Sequence, residues 1–162
     1  MKKQNILFIG IDSFRGDKCF GNNKSSKTPN INKLIKNGVY FEQAISVSDG
    51  SYTCMGAVFT SLYPFQSGIT TVSAYSKSTK IFEKFRDAGY KLYGTAPCTP
   101  FFINLLESFD EKENFSKPGY LYPVSGNSKD SRTGEYILDR LDRIRDGKID
   151  EPWFYFIFLT DL

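Results

Sequence analysis

Two carboxylates stand out by where they fall. Asp12 closes the run Asn5-Ile-Leu-Phe-Ile-Gly-Ile-Asp12, and Asp161 closes Pro152-Trp-Phe-Tyr-Phe-Ile-Phe-Leu-Thr-Asp161. Strands buried on both faces of a parallel sheet read as continuous apolar runs. The first run is therefore expected to be a buried central strand that hands an acid to the carboxyl edge of a sheet. Ligands of open α/β sheets bind at that edge. The alternative for Asp12 is a turn cap, a common use of Asp. The chain has no histidine. That excludes a Ser/His/Asp triad within it and removes the commonest zinc ligand. The three cysteines, Cys19, Cys54 and Cys98, are an odd number at no metal spacing and form no CxxC. Free thiols in a reducing, cytoplasmic compartment are expected.

The rest of the chain must position these groups. At 162 residues it is long enough for one domain with a sizeable core. A hydrophobic fraction of 40%, with 15 Phe and 10 Tyr, describes a globular chain. A net charge of +3 with interspersed signs gives no nucleic-acid footprint. No apolar stretch reaches the ~18 residues of a membrane span. The N-terminal run breaks at Asp12 with no small-residue cleavage site after it, so no signal peptide is read. The last apolar run stops without a closing helix, so the chain is expected to be a fragment of a longer protein.

Residues 13–27 are polar and read as a loop. Thr28-Pro29 opens a helix bearing Ile31, Leu34 and Ile35, with Gly38 as its C-cap. Val39–Phe41 with Ala44 and Ile45 suggests a short strand, and residues 46–51 a polar turn. A helix is expected over Met55–Leu62, and another from Ser78 or Thr79 to Gly89 carrying Ile81, Phe82 and Phe85. Tyr90–Ala96 reads as a strand, Phe102–Phe109 as a short helix, and residues 110–131 as a long loop. Arg132–Gly147 is the clearest helix. Ile137, Leu138, Leu141 and Ile144 form its stripe, and Asp139/Arg143 and Asp142/Arg145 are its pairs. Alternating strands and helices predict an α/β fold, a largely parallel sheet with helices on both faces and no second domain.

Several segments fall in an order that resembles a known family. They are Asn5–Arg15, Thr28-Pro-Asn-Ile-Asn-Lys-Leu34, Gly38-Val-Tyr-Phe41, Ala44, Phe59-Thr-Ser-Leu-Tyr-Pro64 with Gly68, Asp139-Arg-Leu141 and the Pro152–Asp161 run. Together they look like the N-terminal part of the catalytic domain of the sulfatase family, within the alkaline phosphatase superfamily. The resemblance spans nearly the whole chain. It implies a metal-dependent hydrolase of small-molecule sulfate or phosphate esters. A divalent metal (Ca, Mg, Mn or Zn) sits at the carboxyl edge of the sheet, and a nucleophile at a helix N-terminus attacks sulfur or phosphorus. The metal polarises the ester oxygens and favours an ionised nucleophile, while the helix end offers free N–H groups to the anion.

Carried over by position, Asp12 falls on the first metal-ligand place. The Asp that follows it in typical sulfatases is Ser13 here, read as a turn hydroxyl. Counting back from Val58-Phe-Thr-Ser61 puts Ser51 on the nucleophile place. Thr53, Cys54 and Met55 then stand where the family has Pro, Ser and Arg. Without that Pro and Arg, oxidation of the nucleophile to formylglycine is not expected. Cys54 is out of register and reads as a packing residue; Thr53 is the fallback should the loop shift. After the strand near residue 96 the family offers a Lys and a His to the sulfate. This chain offers neither, which leaves Arg15 and Lys18 as candidate substrate contacts.

The remaining ligands of the family lie further along than this chain reaches. It therefore holds half of a site and is expected to be inactive on its own. Two other readings remain open at this point. One is a phosphoglycerol or phosphoethanolamine transferase relative, which fits the single carboxylate. The other is a non-catalytic binding module that retains the fold. A truncated sheet would also expose an edge through which chains associate.

Overall fold

The computed structural model of the chain describes residues 2–70, 80–115 and 132–160. Its elements are, in order, β1 (Ile6–Ile11), α1 (Gly16–Cys19), α2 (Pro29–Asn37), α3 (Ser51–Thr60), α4 (Pro64–Ser67), α5 (Lys80–Asp87), β2 (Lys91–Pro97), α6 (Pro100–Leu106), β3 (Glu111–Phe115), α7 (Arg132–Arg145) and β4 (Trp153–Leu159). They belong to two compact units: Met1–Asp12 with Val47–Leu162, and Ser13–Ser46.

The larger unit is built on four parallel strands in the order β1-β4-β2-β3. Parallel neighbours need crossover connections, and helices supply them. β4 pairs with β1 from Ile6↔Phe154 to Ile11↔Leu159, and with β2 from Lys91↔Trp153 to Thr95↔Ile157. Its alternate side chains serve two cores. Phe154, Phe156 and Phe158 face Phe59 of α3, Phe82 of α5, and Phe102, Leu105 and Leu106 of α6. Trp153, Tyr155 and Ile157 face the other way, packing with Tyr93, Ile149 and Ile137 and Ile144 of α7. Helices thus cover both faces, and the continuous apolar run of β4 is the signature of that double burial. Each fully buried Phe contributes roughly 1.5–3 kcal/mol. Gly94 of β2 lets α6 close on the sheet: a Cβ there would lie 2.3 Å from Leu106 Cδ2 and 3.0 Å from Phe109 Cδ1.

Several expectations are corrected. Among the described residues β1 is the outermost strand rather than a buried central one. Ile6 and Phe8 pack on the Phe-rich core, but Leu7 and Ile9 are 44% and 48% exposed. An apolar run reports that both faces suit burial, not which neighbour covers them. β3 falls where a loop is expected, because its sequence Glu-Lys-Glu-Asn-Phe carries charge rather than an apolar pattern. Val39–Phe41 forms no strand; Val39, Phe41 and Ile45 are exposed. α3 begins at Ser51, four residues before the expected start, because its first turn is polar. On α7, Leu138 is half exposed and Arg140 is buried in the stripe. The Asp142–Arg145 pair forms at 2.7 Å, while Arg143 lies 3.8 Å from Glu111. The expected helix start at Ser78 or Thr79, residues 116–131 and Asp161 lie outside the described residues.

Within the Ser13–Ser46 unit, Pro29 takes the first position of α2, and the Thr28 carbonyl accepts from Asn32 N–H at 2.9 Å. Gly38 ends the helix with an extended rather than left-handed backbone. Cys19 is the buried side chain there, and the Phe20 and Tyr40 rings lie 4.4 Å apart.

Candidate active site

Asp12 is the residue after β1. Its N–H donates to the Leu159 carbonyl at 2.9 Å, extending the β1–β4 ladder by one bond. The backbone is therefore clamped where the carboxylate leaves the sheet. Ser51 is the first residue of α3, behind Gly50, whose carbonyl accepts from Cys54 N–H at 2.9 Å. The three N–H groups of the first helical turn have no partner within an α-helix. Ser51 Oγ donates to Asp12 Oδ1 at 2.8 Å, a part-buried bond between residues 39 apart in sequence. A carboxylate beside a helix N-terminus is also electrostatically favourable.

The pair opens on a cleft of about 290 Å³ lined by Asp12, Ser51, Tyr52, Pro97, Thr99, Phe102, Phe158 and Thr160. One wall is aromatic. Tyr52 stacks on Phe101 at 5.3 Å and meets Phe102 edge-on at 5.9 Å, and Phe102 packs against Phe158 at 4.5 Å. Among the described residues the lining carries one formal charge, the Asp12 carboxylate.

Other candidates sit elsewhere. Thr53 is 8% exposed, and its hydroxyl lies 2.7 Å from Ser48 Oγ and 2.8 Å from the Gly50 carbonyl that it bonds. It braces the turn before α3. Cys54 is half-buried, with Sγ 3.0 Å from the Ser48 carbonyl. None of the three cysteines forms a disulfide. Arg15 and Lys18 belong to the Ser13–Ser46 unit. Arg15 grips Asp17 with two bonds of 3.0 and 2.9 Å, and Lys18 lies 3.6 Å from the same carboxylate. That hydrogen bonding to Arg15 holds Asp17 below the usual carboxylate range. Ser13 adopts the left-handed backbone region, with φ 56.

Sequence reasoning passed over Thr99, Phe158 and Thr160. A signal for Thr99 was present: it lies just past the carboxyl end of β2, and the rule that singled out Asp12 at β1 applies equally there.

A divalent metal would find one hard anionic donor in Asp12. Among the described residues no group of three or more Asp, Glu, Cys or His side chains could hold an ion. The donor set therefore does not by itself fit a closed metal site. Among the same residues no helix is long and apolar enough to cross a membrane.

Three comparisons bear on this arrangement. Human Arylsulfatase H is 35% identical over 71 residues, which is 44% of this chain and 12% of that protein. The solved structure of BT1596, a 2-O GAG sulfatase, superposes with a TM-score of 0.64 at 17% identity, covering 98% of this chain and 35% of the other. The chain thus spans well under half the length of these relatives. The parallel sheet, the helices on its two faces and the placing of residues 4–160 on the sulfatase family model agree, and the chain belongs to the sulfatase family.

Proposed function

We propose that this chain is the N-terminal portion of a sulfate-ester hydrolase, contributing Ser51 as nucleophile and Asp12 as a metal ligand. The observation that carries the reading is the 2.8 Å bond between Ser51 Oγ and Asp12 Oδ1 at the mouth of the cleft. The bond turns the Ser51 hydrogen toward the carboxylate and leaves the oxygen lone pairs for an electrophile in the cleft. Attack on sulfur forms the Ser51 Oγ–S bond and breaks the bond from sulfur to the ester oxygen, which takes up the proton that Ser51 gives up and leaves as the alcohol. Water then cleaves the sulfated serine. The first-turn N–H groups of α3 face the charge that develops on the sulfuryl oxygens. A bound divalent metal, generally used by the family, would supply further charge neutralisation. The match of residues 4–160 to the sulfatase family model favours a sulfate ester as the substrate class. Arg15 and Lys18 are retained in this reading as candidate substrate contacts.

The incomplete donor set supports the reading that this piece is inactive by itself. Association through the β1 edge, with Leu7 and Ile9 exposed beside it, belongs to the same proposal. The site is tested by titrating Mn²⁺ into the ¹⁵N-labelled chain. Broadening centred on the Asp12 and Ser51 amides, lost in Asp12→Ala, is expected. Broadening centred elsewhere would refute Asp12 as a ligand. Turnover of nitrophenyl sulfate that disappears in Ser51→Ala would refute inactivity while supporting the nucleophile.

A further inference from the structure

Thr99 lines the same cleft, and its Oγ1 is buried with no hydrogen-bond partner among the described residues. The backbone around it is fully used. Thr99 N–H donates to the Pro97 carbonyl at 2.9 Å, and the Thr99 carbonyl accepts from Ile103 N–H at 2.9 Å. The residue stands just before α6, where a threonine ordinarily caps the helix through its hydroxyl, yet it makes no such bond. Buried hydroxyls in native proteins nearly always have partners, so an idle one beside a cleft asks what completes it.

The hydrogens already committed in the cleft narrow the answer. The Ser51 hydrogen is given to Asp12. An anion entering beside that carboxylate needs a donor that is not so engaged, and Thr99 offers one. Because Oγ1 is buried, a turn about χ1 to another staggered well is required to present it to the cleft. Pro97, Phe102 and Phe158 add no polar side chain to the lining; Tyr52 and Thr160 bring its other hydroxyls, and Thr99 is the one whose hydroxyl is buried without a partner among the described residues.

We propose that Thr99 is a substrate-contact residue whose hydroxyl donates to a non-bridging oxygen of a tetrahedral oxyanion held in this cleft. The choice of an oxyanion rests on the functional reading above; the idle hydroxyl and the cleft do not. A Thr99 contact holds the anion on the β2 side while Ser51 approaches from α3, which fixes the direction of attack.

Inorganic sulfate serves as the probe, titrated into the ¹⁵N-labelled chain and its Thr99→Val and Thr99→Ser variants. Thr99→Val should weaken sulfate binding about tenfold, the scale of a lost charge-assisted hydrogen bond. Thr99→Ser, which keeps the hydroxyl, should bind within about twofold of the parent. Thr99→Val should also melt at or above the parent temperature, because only an unpaired hydroxyl is lost. Unchanged sulfate affinity in Thr99→Val, melting well below the parent, or no sulfate binding by the parent each overturns the proposal. The functional reading fails separately. Absent Mn²⁺ broadening at Asp12 would sink that reading even where Thr99→Val weakens sulfate. Intact broadening with unchanged sulfate affinity would sink the Thr99 contact alone.

Discussion

The larger unit holds its carboxylates in two contrasting ways. Beneath α7, Arg140 is 5% exposed and reaches Glu111 at 2.7 Å and Glu113 at 3.0 Å, with its guanidinium 5.8 Å from the centre of the Tyr93 ring. Close by, the Tyr155 and Thr95 hydroxyls share a 2.7 Å bond within the sheet. At the carboxyl edge, Asp12 has a single neutral hydroxyl against it and a cleft in front. The first cluster matches charge with charge inside the fold; the second leaves a carboxylate able to take further partners. A charge that holds structure is closed off by its counter-ion, whereas one that serves chemistry keeps open valence toward a ligand.

Removing Arg140 should therefore have the largest effect on stability. Arg140→Met leaves Glu113 without its cation and Glu111 with Arg143 alone at 3.8 Å, and is expected to lose about 3 kcal/mol, the lower part of the range for a broken buried pair. Glu111 is 41% exposed and can turn to water, which limits the loss. Urea unfolding measures it; a loss under about 1 kcal/mol, the range of surface pairs, would erase the contrast.

The pH dependence sharpens the same point. Burial raises the Glu113 carboxyl above its usual value despite Arg140 beside it, and its Oε2 has no partner among the described residues. A carboxyl raised in the folded state favours folding most when protonated. Its contribution is present at acid pH and is lost as pH rises through the raised value. Without Arg140 the rise should be larger. The deficit of Arg140→Met is then expected to shrink as pH falls toward about 4, near the unfolded carboxyl value. A deficit that is flat with pH would show that Glu113 is not the group left stranded.

Tyr155 provides a third test on the alkaline side. Burial pushes its phenol up to about 12 from an ordinary value of 10.0, although the bond to Thr95 acts in the opposite direction. The neutral form is the one the fold prefers, so its stabilising share is complete below the unfolded value and lost as pH rises from 10.0 to about 12. Alkaline unfolding followed by circular dichroism should be gentler in Tyr155→Phe. That variant should lose about 1 kcal/mol at neutral pH, because the Thr95 hydroxyl is orphaned.

Smallest of all should be the effect of opening the site pair. Ser51→Ala and Asp12→Asn are each expected to shift stability by less than about 1 kcal/mol, the net worth of one part-buried hydrogen bond. A loss of several kcal/mol in either would make the pair structural, and the distinction between the two regions would fall.

How much of this was readable beforehand follows from the kind of signal each residue carries. The apolar run of β4 declared a strand buried on both faces, and it is one. The same pattern in β1 overstated its cover, since Leu7 and Ile9 are half exposed. β3 was invisible because Glu111 and Glu113 look like loop charges until Arg140, nearly 30 residues later, is seen between them. The polar first turn of α3 concealed the helix start. Asp12 was marked by its place after an apolar strand, whereas Ser51 was reached only through its distance from Phe59-Thr-Ser-Leu-Tyr-Pro64.

By itself the sequence determined the α/β class, the alternation of strands and helices, and the family, because burial period and motif order are properties of the chain read in one dimension. Only tertiary structure decided that Ser51 Oγ lies against Asp12, that Arg140 is interior and that the Thr99 hydroxyl is without a partner among the described residues. Those facts depend on which surfaces meet after crossovers that join distant segments, and hydrogen bonds a few ångströms long carry no trace in local composition.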